Sequence, residues 1–99
     1  MPKGYIYAEV EITDEAEFKK YQPPAVASLA AFGGRIIVMG GDPKVLEGGQ
    51  NVRMSVLVEF DSRERASEWY HSPEYQAAIP IRQRGANTHL VLLTGHAEG

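Results

Sequence analysis

The residue types best suited to chemistry lie in the second half of the sequence. Trp69 and Tyr75 each join a large apolar ring to a polar tip, which suits the wall of an aromatic ligand pocket. Arg82 follows Pro80, and an arginine beside an irregular helix can hold a carboxylate or an enolate. His71 is the residue best placed to act as a general acid or base. We therefore predict His71 and Arg82 as catalytic residues, and Trp69 and Tyr75 as substrate-binding residues.

Two residues of the first half extend this candidate site. Tyr21 lies on a predicted helix that borders the same pocket, and Arg35 opens a strand beside the pair Gly33-Gly34, where a ligand can approach the backbone closely. Every candidate also has a structural interpretation. The rings would pack a helix on a sheet, the histidine would lie at a surface helix end, and the arginines would face solvent or pair with carboxylates.

Two glutamates on neighbouring predicted strands offer a second kind of site. If Glu9 and Glu59 are both buried, one carboxyl would have a raised pKa and could act as a base. The alternative is that Arg53 or Arg35 neutralises them across a subunit seam.

Several kinds of chemistry are excluded by what the sequence lacks. There is no cysteine, which removes disulfides, thiolate catalysis and thiolate zinc sites. His71, His89 and His96 do not have the spacing of metal ligands. No Gly-x-Ser-x-Gly elbow is present. The sequence therefore predicts neither a metal nor a cofactor.

Composition limits the architecture and the partners. With 99 residues, of which 43% are apolar, the chain can build one core, so we predict a single domain over residues 1–99. The net charge is -3 and the basic residues are not clustered, which argues against nucleic acid as a partner. We find no signal-peptide pattern and no apolar run near the ~20 residues of a membrane span, and we predict a cytoplasmic protein without membrane contact.

Four strands are predicted from side-chain patterning. Residues 5–12 and 53–60 alternate between apolar and polar side chains, and residues 35–39 form a β-branched run between glycine pairs. Residues 88–94 supply the fourth strand. Residues 45–47 could form a short additional strand in the long connection before the third.

A first helix is predicted between the first two strands. Asp14 is its N-cap, and the pair Gly33-Gly34 ends it. Pro23 and Pro24 lack the backbone N–H that a helix interior needs, so we expect the helix to kink and restart there.

A second helical segment follows the third strand and is divided. Asp61 or Ser62 caps its first part, and Ser72 followed by Pro73 has the pattern of a new helix start. The segment is therefore predicted as two short helices with a joint, the second of them distorted at Pro80.

The order of elements, βαββαβ, predicts a ferredoxin-like α+β fold. Both helical segments would cover one face of a four-stranded antiparallel sheet and leave the other face open. The open face would carry Tyr5, Tyr7, Leu57, Val91 and Leu93. These side chains are too apolar to face water as one patch, so we predict that a homodimer covers them.

The proline breaks also suggest where a pocket lies. A kinked helix cannot lie flush on a sheet, which leaves space beneath it. We expect a pocket between the sheet and the joint of the second helical segment, bordered by Phe18 and Tyr21, with Arg82 at its mouth.

Five segments together resemble a family of small bacterial proteins. They are residues 33–35, 40–41, 45–48, 59–60 and 69–76, the last containing the run Trp-Tyr-x-Ser-Pro-Glu-Tyr. The chain resembles a domain of unknown function within the dimeric α+β barrel superfamily. The resemblance extends over nearly the whole chain and implies a dimer of ferredoxin-like units with a pocket between sheet and helices.

That superfamily contains monooxygenases without metal or flavin, muconolactone isomerases, haem enzymes and stress-response proteins. The resemblance therefore implies no single reaction. Two classes of function stay open: a cofactor-free monooxygenase or isomerase acting on a small aromatic or enolisable metabolite, and a binding or stress-associated module that holds a ligand without turnover.

Overall fold

Four strands form one antiparallel sheet in the computed structural model, which describes residues 2–49 and 54–96. The elements are β1 (Gly4–Ile12), α1 (Glu15–Ala31), β2 (Arg35–Gly40), β3 (Ser55–Phe60), α2 (Arg63–His71), α3 (Pro73–Gly85) and β4 (Ala86–Thr94). The strands lie in the order β2-β3-β1-β4. The predicted ferredoxin-like α+β class is confirmed, with α2 and α3 as the two parts of the second helical segment.

The register of β1 separates the two faces of the sheet. Ile6, Ala8 and Val10 are buried on the face that the helices cover. The side chains between them are half-buried on the opposite face, where Tyr5 lies opposite Glu59 and Leu93, and Tyr7 lies opposite Leu57 and Val91. This alternation is what the sequence predicted for residues 5–12, and it defines an open face that no described helix covers.

The predicted helix starts are confirmed by their caps. Asp14 accepts a hydrogen bond from the backbone N–H of Glu17 at 3.2 Å, and Ser62, one of the two predicted alternatives, accepts one from Arg65 at 3.1 Å. At the other end of α1, Gly33 has a φ of +72°, the left-handed conformation of a helix C-terminus.

Proline does not divide α1, where the sequence predicted a kink and a restart, and the distortion predicted at Pro80 does not end α3. The helix α1 continues through Pro23 and Pro24, and α3 continues through Pro80. Each proline deprives the carbonyl four residues earlier of its helical partner, and those carbonyls belong to Lys19, Lys20 and Gln76. All three residues are exposed, so water can satisfy the carbonyls and the helix does not need to restart.

The connection from β2 to β3 contains no additional strand in its described part. Residues 41–49 include no strand, and Leu46 is 88% exposed. Arg53, the predicted first residue of the third strand, lies outside the described residues. None of the helices that the structure describes has the length and apolar character needed to cross a membrane.

Candidate ligand-binding site

A cavity of about 80 Å³ lies between the covered face of the sheet and the helices α1 and α3. Its walls are mostly apolar. The strands contribute Ile6, Ala8, Val10, Ile36, Met39, Val56, Val58, Thr88 and Leu90, with Met54 just before β3, and the helices contribute Phe18, Tyr21, Gln22, Ala25, Val26, Leu29, Trp69, Tyr75 and Arg82. The predicted border of Phe18 and Tyr21 is therefore present.

The cavity opens between α1 and the edge strand β2. Its most exposed lining residues are Gln22 and Val26 on α1 and Ile36 and Met39 on β2. Val26 and Met39 are 49% and 50% exposed. The sequence placed Arg82 at the mouth, but the Nε atom of Arg82 is shielded from solvent and the exposed residues around the opening are mainly apolar.

Three polar side chains form a hydrogen-bonded cluster on the cavity wall. The hydroxyl oxygens of Tyr21 and Tyr75 are 2.8 Å apart, and the guanidinium Nη1 of Arg82 donates to the Tyr75 hydroxyl at 2.6 Å. Tyr75 is fully buried, while Tyr21 and Arg82 are half-buried. A cation and two hydroxyl groups thus meet inside a mainly apolar cavity.

Burial controls the ionisation of Tyr21. Removal from water raises the pKa of its hydroxyl, and the neighbouring Tyr75 raises it further, while Arg82 opposes the shift. Tyr21 therefore stays protonated at neutral pH, and it acts as a hydrogen-bonding group and not as a base.

Two polar atoms of the cavity wall have no hydrogen-bond partner. They are Nε of Arg82 and Oγ1 of Thr88, both removed from solvent. Buried polar atoms are nearly always satisfied in folded proteins, so an unpaired donor in a cavity wall calls for a specific explanation.

Trp69 forms part of the wall and part of the core. It is 3% exposed, and its indole N–H donates to the hydroxyl of Ser28 at 2.9 Å, which in turn donates to the carbonyl of Ala25 at 2.7 Å. Its ring centroid lies 4.0 Å from that of Tyr75 and 5.6 Å from that of Phe60. The sequence contains no other tryptophan.

The joint at Ser72 brings Trp69 and Tyr75 together. Six residues apart on an unbroken helix, they would point to different sides of the helix, because each residue turns it by about 100°. The Ser72 hydroxyl donates to the carbonyl of Trp69 at 2.7 Å and accepts from the backbone N–H of Tyr75 at 3.2 Å. It thus closes α2 and opens α3, as the sequence predicted.

Two of the predicted site residues lie away from the cavity. His71 is exposed at the end of α2, with Nδ1 3.0 Å from the carbonyl oxygen of Ser67, and lines a separate open groove with Tyr70 and Leu92. Arg35 lies on the open face of the sheet. The structure therefore groups Tyr21, Trp69, Tyr75 and Arg82 and leaves His71 and Arg35 outside that group.

Arg35 pairs with carboxylates of its own chain. Its Nη2 lies 3.0 Å from Glu59 and 3.3 Å from Asp61. The pKa of Glu59 is lowered, first because the Tyr5 hydroxyl donates a hydrogen bond to it and then because Arg35 does. Glu59 therefore does not have the raised pKa of a base, and Arg35 of the same chain neutralises it.

This lowered pKa predicts a pH-dependent contribution to stability. A carboxyl with a depressed folded-state pKa stabilises the fold above its ordinary value of 4.5, and that contribution is lost as the pH falls through the folded-state value. We expect Glu59→Gln to unfold at a lower temperature than the wild type at neutral pH, with the difference shrinking in acid. Thermal unfolding of both proteins across this range is the measurement, and a difference independent of pH would contradict it.

Sequence reasoning missed three polar residues: Thr88 and Gln22, which line the cavity, and Ser28, which accepts from the Trp69 indole. For Thr88 a signal was present, because alternation along residues 88–94 places it on the face opposite His89, Val91 and Leu93. Ser28 has no such signal, since a serine within a helix usually faces solvent. Within residues 2–49 and 54–96, no three histidine or acidic side chains come together as a metal site would require.

The fold and cavity define a ferredoxin-like α+β protein with a mainly apolar pocket between sheet and helices. Within that class, the chain belongs to the family described as domain of unknown function DUF1330, whose model matches residues 3–96. Curated proteins gave no significant match to the sequence.

Solved structures share the fold at low sequence identity. A protein of unknown function from Rhodopseudomonas palustris is 15% identical with a TM-score of 0.79, over 98% of this chain and 85% of that one. The cofactor-independent oxygenase SnoaB from Streptomyces nogalater is 11% identical with a TM-score of 0.66, over 99% and 97%. A dimeric ferredoxin-like protein of unknown function from Thermobifida fusca is 10% identical with a TM-score of 0.54, over 94% and 91%.

Proposed function

We propose that the chain binds a small organic molecule in the cavity beneath α1 and α3. The observation that carries the proposal is the cluster of Tyr21, Tyr75 and Arg82 on an otherwise mainly apolar wall, beside Trp69. An apolar cavity with a few converging polar groups is the usual composition of a small-molecule site.

Fluorescence of Trp69 offers a direct test. Because the sequence has one tryptophan and it lines the cavity, a ligand bound there should change its emission. Hexanoate and hexanol serve as probes, since each has a short apolar chain and one polar end. A saturable change with at least one probe is expected, and no change with either up to their solubility would contradict the proposal.

Turnover of the bound molecule by a cofactor-free oxygenase or isomerase is the second step of the proposal. Its support is the cluster, in which Arg82 can stabilise a developing enolate oxygen while the two tyrosine hydroxyls hydrogen-bond the substrate. The similarity of fold to the cofactor-independent oxygenase of Streptomyces nogalater is compatible with this chemistry. The substrate would be aromatic or enolisable, with Trp69, Tyr75 and Tyr21 binding it and Arg82 as catalytic residue.

Oxygen consumption with naphthol as an aromatic enol separates an oxygenase from a binding module. We expect uptake that requires the protein and falls with Arg82→Gln. Binding of naphthol without uptake would favour the binding module, in which the cavity holds its ligand unchanged. His71→Ala tests the proposed catalytic role of His71, which would have to act from outside the cavity, because its ring lies in the separate groove.

Association into a homodimer through the open face of the sheet is part of the same proposal. Tyr5, Tyr7, Leu57 and Val91 are half-buried there, and Leu93 is 44% exposed. A second sheet laid on this face would bury these side chains, and a structural neighbour from Thermobifida fusca is described as dimeric. A cytoplasmic location remains a prediction from the sequence.

We expect sedimentation equilibrium to give twice the chain mass of 10.9 kDa at micromolar concentration. Leu57→Asp places a charge in the middle of the open face and should shift the mass to that of one chain. Ala27→Asp, on the exposed surface of α1, is the matched control and should leave the mass unchanged. A wild-type mass of one chain would contradict the dimer.

A further inference from the structure

We propose that the ligand of this cavity is an organic anion. Its acidic group, a carboxylate or an enolate oxygen, lies against Arg82 and Thr88, and its apolar body extends through the opening between α1 and β2. The inference rests on the proposed binding function and adds the chemical class and the orientation of the ligand.

The charge of Arg82 is the first step. Arg35, Arg65 and Arg84 each pair with a carboxylate at 3.0 to 3.4 Å. Among the residues the structure describes, Arg82 has no such partner, and its side chain bonds to the hydroxyls of Tyr75 and Tyr21 instead of a carboxylate. A guanidinium stays protonated in proteins, and a partly buried cation without an anion is unfavourable. An anionic ligand would supply the missing charge.

The balance of donors and acceptors in the cluster points the same way. Tyr21 and Tyr75 have two hydroxyl hydrogens but only one hydrogen bond between them, so one hydrogen is left to donate. Arg82 Nε has an unused N–H, and Thr88 Oγ1 has an unused O–H. Three donors that line one cavity suit a group that only accepts hydrogen bonds, as an ionised carboxylate or enolate does.

The size of the cavity sets the orientation. A cavity of about 150 Å³ holds benzene, and this one is about 80 Å³. It therefore takes the acidic group and a few carbon atoms, while the rest of the ligand must pass the opening. Val26, Ile36 and Met39 surround that opening and are all at least 40% exposed, so an apolar chain leaving the cavity would cover them.

Three six-carbon probes that differ only in the polar end test the charge. We expect Trp69 fluorescence to report tighter binding of hexanoate than of hexanol, and the weakest binding for hexylamine. Arg82→Gln should weaken hexanoate roughly tenfold or more and leave hexanol nearly unchanged, because only the anion loses a charge-assisted hydrogen bond. Thr88→Val should weaken hexanoate by about threefold to tenfold.

Matched controls keep the result specific. Arg84→Gln removes an arginine of the same helix that pairs with Glu17 outside the cavity, and should leave hexanoate binding unchanged. Arg82→Lys keeps the charge without the Nε donor and should keep the preference for hexanoate over hexylamine. Circular dichroism checks that each variant is folded.

The outcomes separate the two proposals. If the wild type binds hexanol or hexylamine as tightly as it binds hexanoate, the proposal of an anionic ligand is wrong, while the cavity is still a binding site. Binding of hexanoate that survives Arg82→Gln but falls with Arg84→Gln would also overturn it. No fluorescence change with any probe would overturn the proposed function itself. If Arg82→Gln does not fold, the ranking of the three probes on the wild-type protein decides.

Discussion

Replacing Trp69 with alanine is expected to lower the free energy of unfolding by about 3 to 5 kcal/mol. The ring is 3% exposed and packs against Phe60 and Tyr75, so its removal leaves a large void in the centre of the core. The neighbouring cavity is only about 80 Å³, so most of the ring packs against side chains and not against empty space. The void left by alanine would join that cavity. Denaturant unfolding followed by circular dichroism gives the value.

Trp69→Phe is the matched variant for this prediction. It keeps an aromatic ring against Tyr75 and loses the indole N–H that donates to Ser28. The Ser28 hydroxyl loses the indole donor but keeps its hydrogen bond to the carbonyl of Ala25, so we expect a clearly smaller loss than for alanine. A loss for Trp69→Ala below about 1 kcal/mol would mean that the ring lines a loosely packed pocket only.

Gly85→Ala is also expected to lower the free energy of unfolding strongly, by about 1 to 3 kcal/mol or more. A Cβ atom at Gly85 would lie 2.5 Å from the backbone nitrogen of Phe18 and 3.1 Å from the carbonyl oxygen of Asp14. The Gly85 carbonyl also accepts hydrogen bonds from Thr13 and Asp14. The end of α3 and the start of α1 are therefore fixed at a distance that leaves no room for a side chain.

Gly49→Ala is the control for this prediction, because an added Cβ there meets no atom within 4 Å. Thermal unfolding of the two variants should show a large shift for Gly85→Ala and little for Gly49→Ala. Since Phe18 and Tyr21 follow the start of α1, Gly85→Ala should also weaken ligand binding. Equal stability of the two variants would show that α1 can move away without cost.

Local rules predicted much of the fold because they concern neighbours in the chain. The caps at Asp14 and Ser72 depend on a side chain and a backbone N–H three residues later, so the sequence alone identifies them. The covered and open faces of β1 follow from simple alternation. The proline rule failed at Pro23 because its outcome depends on whether the released carbonyl faces water, which is a property of the folded molecule.

The candidate site was predicted in part for the same reason. Trp69 and Tyr75 were placed together because they lie on the two sides of the joint predicted at Ser72, with Tyr21 of the first helix as the border. The position of Arg82 could not be predicted, since a long side chain can reach solvent or a cavity from the same backbone position. His71 is only four residues before Tyr75 in the sequence. Its ring nevertheless lies against the carbonyl of Ser67 on α2, on the other side of the joint at Ser72 from Tyr75.

The uneven exposure of the cavity wall has a consequence for how such a site changes during evolution. Tyr75, at the polar end, is fully buried and belongs to the core, so substitutions there disturb the fold together with the ligand. Val26 and Met39, at the opening, are about half exposed, and most substitutions at such positions alter stability little. Substitutions at Val26 and Met39 can therefore change which shape of ligand body the opening accepts. The polar end of the cavity, which holds the acidic group, stays constant.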